Sequence, residues 1–251
     1  MFRRQADYCD ARSPFYAALC RGFATDERVA AIAPDLNWDL PLRLLGGIHY
    51  LVLGGEATWE TAIDTHAAWL SRWCVEQPVQ TNEVFRGAPL ARGVAATGRS
   101  RVELLELGAS AGLLLYLEGP FEVVRRRGID RRPVDVNTAE GVRLLEAFVW
   151  PGQPERVERL RAAIEVARRD PPELIEGDYV DVVTDYLTSD TVVVSAVTTM
   201  YLEDERYDEL RGKLRNVDWV SLEGPRHARD YDGMQLILNG RVLEEHVDFH
   251  G

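Results

Sequence analysis

Val102-Glu103-Leu104-Leu105-Glu106-Leu107, running straight into Gly108-Ala109-Ser110-Ala111-Gly112, reads as a short strand that empties into a turn of small residues. A continuous apolar run bounded by glycine is the mark of a strand buried on both faces. Downstream the same texture recurs. Phe121 to Ile129, Glu173 to Glu176, Val192 to Val197 and Trp219 to Leu222 read as further strands. Between them lie two helices, Thr138 to Val149 and Pro154 to Arg169, the second with Val157, Leu160, Ile164 and Ala167 on one face. Strands alternating with helices predict a parallel sheet with covered faces. At the end, Met234 to Leu238 and Arg241 to Val247 flank Asn239-Gly240, a strong hairpin signal. The predicted fold is α/β: a mixed, mostly parallel seven-stranded sheet with order 3-2-1-4-5-7-6 over residues 99–251.

Upstream of the first strand the pattern is helical, and residues 1–98 read as a helical N-terminal region. Ser13-Pro14 combines an N-cap with a proline whose missing N–H costs nothing at the first helical position. Pro41 opens a helix that is apolar on nearly every side, and Gly54-Gly55 ends it. Thr58 is expected to cap a third helix, with Trp59, Ile63, His66, Leu70 and Trp73 in one stripe. A fourth is expected from about Asn82 to Ala96, broken at Pro89.

Composition bounds the function. The 251 residues carry 29 Lys plus Arg against 41 Asp plus Glu, a formal net charge of -12. That balance disfavours nucleic acid or an anionic membrane as partner. Three cysteines, Cys9, Cys20 and Cys74, without C-x-x-C spacing are neither a disulfide framework nor a zinc site, and no metal is expected. The N-terminus lacks the apolar core of a signal peptide, and Leu40 to Leu53 is too short to span a bilayer. These features predict a cytoplasmic protein.

Three chemistries place small residues between a strand and a helix. Gly108-Ala109-Ser110-Ala111-Gly112 matches the G-x-S-x-G serine elbow, but a hydrolase needs several strands ahead of it and about 100 helical residues stand there instead. The dinucleotide fingerprint G-x-G-x-x-G fails at Ser110 and Leu113. An acid followed by G-x-G-x-G, the S-adenosylmethionine turn, fits at Glu106, Gly108 and Gly112, with Ser110 as the small middle residue. Small side chains let the backbone pass under a ligand, and the acid at the strand end can hold the cofactor amine. Asp130 ends the second strand, where an acid can accept ribose hydroxyls. Asp178 follows the third strand, where an acid can bind an adenine amino group. Only 13 residues, Gly108 to Pro120, separate the first two strands, which leaves a short crossover.

With those segments in hand, the chain resembles a bacterial family of uncharacterised proteins whose core is similar to class I methyltransferases. The matching runs are Pro78 to Glu83, Leu105 to Leu113, Gly128-Ile129-Asp130, Pro133 to Val136, Val149 to Gln153, Gly177-Asp178, Ser221 to Gly224 and His250-Gly251. The chain departs from the family pattern at Leu114 (Asn in other members), at Ser195 (often His) and in its shorter segment before Gly128. The resemblance implies a Rossmann-like, methyltransferase-type domain over residues 99–251, S-adenosylmethionine as cofactor and a small molecule as methyl acceptor. Neither the acceptor nor the oligomeric state is legible.

The cofactor-binding residues expected on this reading are Glu106, Gly108, Ser110, Gly112, Asp130 and Asp178, with Gln80 and Asn82 at the mouth. Tyr201, after the fourth strand, and His227, after the fifth, are the candidate catalytic residues; an imidazole of ordinary pKa suits proton removal near neutrality. Gln80-Thr81-Asn82-Glu83 with Arg86 reads either as an N-cap by Thr81 or as a polar cluster at the mouth. Arg125, Arg126, Arg127, Arg131 and Arg132 read as a solvated charged edge or as an anion patch. The alternatives to a methyltransferase are a methyltransferase-like protein that binds a nucleotide-like ligand without turnover, and a serine hydrolase using Ser110.

Overall fold

The computed structural model describes residues 1–32, 38–226 and 233–248. In chain order the helices are α1 (Phe2–Cys9), α2 (Pro14–Phe23), α3 (Glu27–Ile32), α4 (Leu40–Leu53), α5 (Ala62–Glu76), α6 (Gly87–Ala95), α7 (Ala139–Ala147), α8 (Pro154–Arg169), α9 (Tyr179–Val182) and α10 (Asp204–Lys213). The strands are β1 (Arg101–Leu107), β2 (Glu122–Asp130), β3 (Glu173–Glu176), β4 (Thr191–Ala196), β5 (Asp218–Glu223), β6 (Met234–Leu238) and β7 (Arg241–Val247). The chain divides into two compact units: Met1–Asn82 with Asn137–Ala162, and Glu83–Val136 with Ala163–Gly251.

The first unit is helical. Its core gathers Tyr16, Leu44, Leu45, Ile48, Leu51, Leu70 and Trp150. The Ser13 side chain accepts from the Tyr16 N–H and Pro14 takes the first helical position, so α2 starts where the sequence says. Pro41 likewise sits in the first turn of α4. The third expected helix begins later than Thr58. Thr58 and Thr61 exchange N–H···Oγ1 bonds of 3.0 and 3.3 Å and close a separate turn, so α5 starts at Ala62. Trp59 falls outside the helix yet still packs on the core. The fourth expected helix is also shorter: Val84–Arg86 is a 3-10 turn, and Pro89 lies in the first turn of α6, where it breaks nothing.

The second unit carries the sheet. Its order is β3-β2-β1-β4-β5-β6-β7. Strands β1 to β5 pair in parallel, and β5–β6 and β6–β7 are antiparallel. β1 and β4 are buried along nearly their whole length, as a central parallel pair must be. Leu104, Val192, Val194 and Val220 pack on one face with Leu90 and Val94 of α6. Leu105, Leu107, Val193 and Trp219 pack on the other with Val180 of α9 and Leu210 of α10.

The expected order placed β7 beside β5. The structure places β6 there, and the reason is chain length. Residues 224–233 are all that separate β5 from β6, too few for a parallel crossover. The chain therefore turns back antiparallel against its own neighbour. Asn239 fixes that neighbour: its Oδ1 accepts from the Trp219 N–H at 2.8 Å, and its Nδ2 donates to Asp218 at 3.0 Å.

Candidate functional site

The site lies at the C-terminal ends of β1 and β2. Four bonds bind the glycine turn to the end of β2. The N–H groups of Gly108 and Ala109 both donate to the Ile129 carbonyl, at 2.9 and 3.2 Å. The Ser110 N–H donates to Asp130 Oδ2 at 2.8 Å. The Ser110 carbonyl accepts from the Val134 N–H at 3.1 Å. The Gly112 N–H donates back to the Ala109 carbonyl at 2.7 Å. Gly108, Ser110 and Gly112 all take positive φ, at 67°, 52° and 69°. Alternate left-handed residues are what small side chains at these three positions permit.

Close approach at Gly108 is a fact of the protein itself. A Cβ there would stand 2.1 Å from Thr198 Oγ1. Thr198 belongs to the loop after β4, so the chain segments after β1 and β4 meet where the strand order reverses, the place where open α/β sheets bind ligands. Val197, one residue earlier, has φ +52, a strained conformation for a β-branched residue.

Glu106, two residues before the turn, is 4% exposed, and its Oε2 has no hydrogen-bond partner among the described residues. Burial and the nearby Asp130 charge push its carboxyl well above the ordinary carboxylate range; the Arg86 guanidinium opposes them without prevailing. Arg86, itself buried, comes from the 3-10 turn before α6. The parallel register pairs Glu106 with Gly128, so Asp130, two residues on, shares the face of Glu106. The structure thus brings Glu106, Asp130, Ser110 and Arg86 together. Asp130 spends Oδ1 on the Arg132 N–H and Oδ2 on Ser110.

Asp178 follows β3 next to the end of β2, where the Gly177 N–H donates to the Asp130 carbonyl at 2.9 Å. Asp178 caps α9 through the Val180 N–H at 2.9 Å and pairs with Arg131 at 2.6 Å and Arg206 at 3.2 Å. Partial desolvation pushes its carboxyl up, but these donors hold it below the ordinary range. Tyr201 is exposed in a 3-10 turn after β4. Gln80 and Asn82 belong to the helical unit, where Gln80 is buried and the Asn82 side chain donates to its carbonyl at 3.2 Å. His227 lies outside the described residues. The cap of the segment after Gln80 is Glu83, which accepts from the Phe85 N–H, in place of the expected Thr81. Arg125, Arg126, Arg127 and Arg131 pair with Glu173, Asp170, Glu103 and Asp178. Arg127 is buried, so the expected solvated edge does not extend to it.

Sequence reasoning gave no place to Glu223 in the site. It ends β5, is 5% exposed, and its Oε1 accepts from the Thr198 and Thr199 N–H groups at 3.1 Å each. Its Oε2 has no partner among the described residues, and burial raises its pKa. Val194 pairs with both Glu106 and Val220, so Glu223, three residues past Val220, projects toward the opposite face from Glu106. Glu223 holds the loop that presents Thr198. The only sequence signal for it was an acid at a strand end.

A family model described as uncharacterized protein conserved in bacteria (DUF2332) matches residues 1–119 and 117–251. The chain belongs to this family. No curated protein matches it.

Proposed function

We propose that this DUF2332 protein is an S-adenosylmethionine-dependent methyltransferase acting on a small molecule. One observation carries the reading. At the end of β1 the backbone donors of Gly108, Ala109, Ser110 and Gly112 are all spent within the protein, while a buried carboxyl oxygen of Glu106 has no partner among the described residues. Those four N–H groups are committed to the protein and so are not offered to a phosphate, which needs such groups. An orphaned buried carboxyl favours a ligand that brings a positive donor. S-adenosylmethionine carries an ammonium and a sulfonium and no phosphate. Glu106 would hold its ammonium and Asp130 its ribose hydroxyls, and the group would supply the electrophilic methyl carbon. The protein's own contribution is positioning, and Thr198 and Tyr201 after β4 stand where an acceptor would be oriented.

A second reading is a ligand-binding protein without turnover. It is favoured by the segment after the turn, which is a single 3-10 turn of buried leucines, Leu113–Leu115, in place of a helix. The same feature weakens a serine nucleophile at Ser110, because an elbow needs a strand, a turn and a helix.

Thermal-shift and calorimetric titration with S-adenosylmethionine, S-adenosylhomocysteine, NAD and a serine-reactive phosphonate test these readings. The expected result is a raised Tm with the first two ligands and none with NAD. No shift with either, or covalent labelling of Ser110, would overturn the proposal.

A further inference from the structure

We infer that Glu223 is a positioning residue of the β1 site: its carboxylate holds the segment after β4 in a strained path that sets Thr198 against Gly108. The holding itself needs no ligand. Its consequence for binding rests on the reading of the turn proposed above.

The strain begins where β4 leaves the sheet. Ala196 still pairs with Leu222 of β5. Val197, the next residue, takes φ +52. A left-handed L-residue crowds its Cβ against the following carbonyl, and such a conformation persists only where the surroundings over-determine it. The surroundings here are the end of β5. The Val197 N–H donates to the Leu222 carbonyl at 3.0 Å. The Thr198 and Thr199 N–H groups then converge on one oxygen, Glu223 Oε1, at 3.1 Å each. Successive N–H groups beside a left-handed residue form a concavity that suits an anion. In this protein the chain supplies that anion itself, from a side chain that is 5% exposed.

Other donors act on the carbonyls of the same segment. The Tyr179 hydroxyl reaches the Thr198 carbonyl at 3.4 Å, and Arg226 Nη1 reaches the Thr199 carbonyl at 3.0 Å. The two N–H groups are a different matter. Among the described residues Glu223 is the only acceptor they have, and bonds to a charged acceptor are the strong ones. The residue held in this way is a wall of the glycine turn. A Cβ on Gly108 would stand 2.1 Å from Thr198 Oγ1 and 2.8 Å from Thr198 Cβ. Loss of the Glu223 oxygen frees Val197 to return to a negative φ, and that rotation carries the Thr198 side chain off Gly108. The strain at 197 and the cradle at 198–199 therefore have one output, the space over the turn.

Amide hydrogen exchange and amide NMR of the full chain test this without ligand, in Glu223→Ala, Glu223→Gln and the double variant Glu223→Ala with Val197→Gly. In Glu223→Ala the Thr198 and Thr199 amides should exchange at least about tenfold faster than in the parent, while Leu104 and Leu105 of β1 keep their rates. The Gly108 and Ala109 amide resonances should move. Glu223→Gln keeps an oxygen in the cradle without its charge and should fall between the parent and Glu223→Ala. Glycine takes a positive φ without strain, so the double variant should return both the exchange rates and the Gly108 resonance toward the parent. A mere loss of packing at Glu223 would not be repaired by removing a second side chain at 197. Calorimetry with S-adenosylmethionine reads the consequence: a Kd about tenfold weaker in Glu223→Ala, recovered in the double variant. Unchanged exchange at Thr198 and Thr199, an unmoved Gly108 resonance, no recovery in the double variant, or equal Kd values in the parent and Glu223→Ala would each overturn the inference. If the parent does not bind S-adenosylmethionine, the function proposed above falls and the amide measurements still decide this one. If Glu223→Ala does not fold, Glu223→Gln decides in its place, and parent-like exchange at Thr198 and Thr199 in that variant overturns the inference.

Discussion

Glu106 is a carboxyl whose burial works against its charge. Burial first, and the Asp130 charge second, raise its pKa well above the ordinary 4.5. Below that value folded and unfolded chains both hold the proton. As pH rises, the unfolded chain releases it and the folded chain keeps it, so this contribution to stability is lost as pH climbs through the folded pKa. Glu106→Gln keeps the shape and removes the titration. At pH 8 the variant is expected to melt roughly 2–8 °C above the parent, from ~1–3 kcal/mol for an imperfectly satisfied buried polar group. The gap should close toward pH 4.5, and a thermal melt series across pH measures it. The same variant should lose S-adenosylmethionine affinity, because it can no longer carry a negative charge opposite the ammonium. Gly108 makes a different point. A Cβ there meets Thr198 and needs a positive φ, so Gly108→Ala should cost ~2–4 kcal/mol in urea titration before any ligand is considered. Thr198→Gly should relieve the overlap but not the φ strain. The double variant is then expected to be at least ~1 kcal/mol more stable than the sum of the singles implies. Strict additivity would mean that the contact at 2.1 Å does not decide the residue at position 108.

At the scale of elements, the hairpin tests how a short signal becomes a long-range one. Asn239-Gly240 is legible because both residues must take positive φ, at 52° and 80°. What the Asn side chain does is not local: it bonds Trp219 and Asp218 of β5 and so selects which hairpin strand lies beside β5. Asn239→Gly keeps the turn and drops both bonds. A loss of ~1–3 kcal/mol is expected in urea unfolding, and a neutral result would show that the side chain plays no part in strand order. The same division runs through the fold. The central strands β1, β4 and β5 were readable as largely apolar runs, and the turn after β1 because only small residues suit its backbone. α10 was not, because its sequence, Asp204 to Lys213, is polar around most of its circumference with Leu210 as its only buried residue. Within the candidate site, Glu106 and Asp130 were legible as acids at strand ends. The Arg86 charge near Glu106, and the grip of Glu223 on the Thr198–Thr199 backbone, come from residues 20 or more positions apart and leave no spacing to read.

Over the whole molecule the two compact units interleave along the chain, with Asn137–Ala162 joining the residues before 83. This interleaving predicts the behaviour of fragments. The helical unit draws essential contacts from its second piece. Trp150 enters the core beside Tyr16, at a ring separation of 5.8 Å. Phe148 lies so close to α4 that a Cβ on Gly46 would stand 2.7 Å from its ring. His49 Nδ1 bonds the Ala147 carbonyl at 3.1 Å, and Arg143 reaches Glu56 at 2.7 Å and the Tyr50 hydroxyl at 2.8 Å. Gln153 donates to the Arg12 carbonyl at 3.0 Å. Loss of the two aromatic side chains alone corresponds to ~6–10 kcal/mol on the scale of truncated core aromatics, comparable to the whole stability of a domain. A fragment of residues 1–98 is therefore expected to lack cooperative unfolding and to expose its tryptophans. Adding peptide 137–162 in trans should restore a cooperative transition and shift tryptophan emission to the blue. Five of the six tryptophans, Trp38, Trp59, Trp69, Trp73 and Trp150, belong to this unit, so emission reports on it almost alone. A cooperative melt from fragment 1–98 by itself would show that α1 to α5 close their own core, and that the packing of Phe148 and Trp150 adds stability to a fold that exists without them.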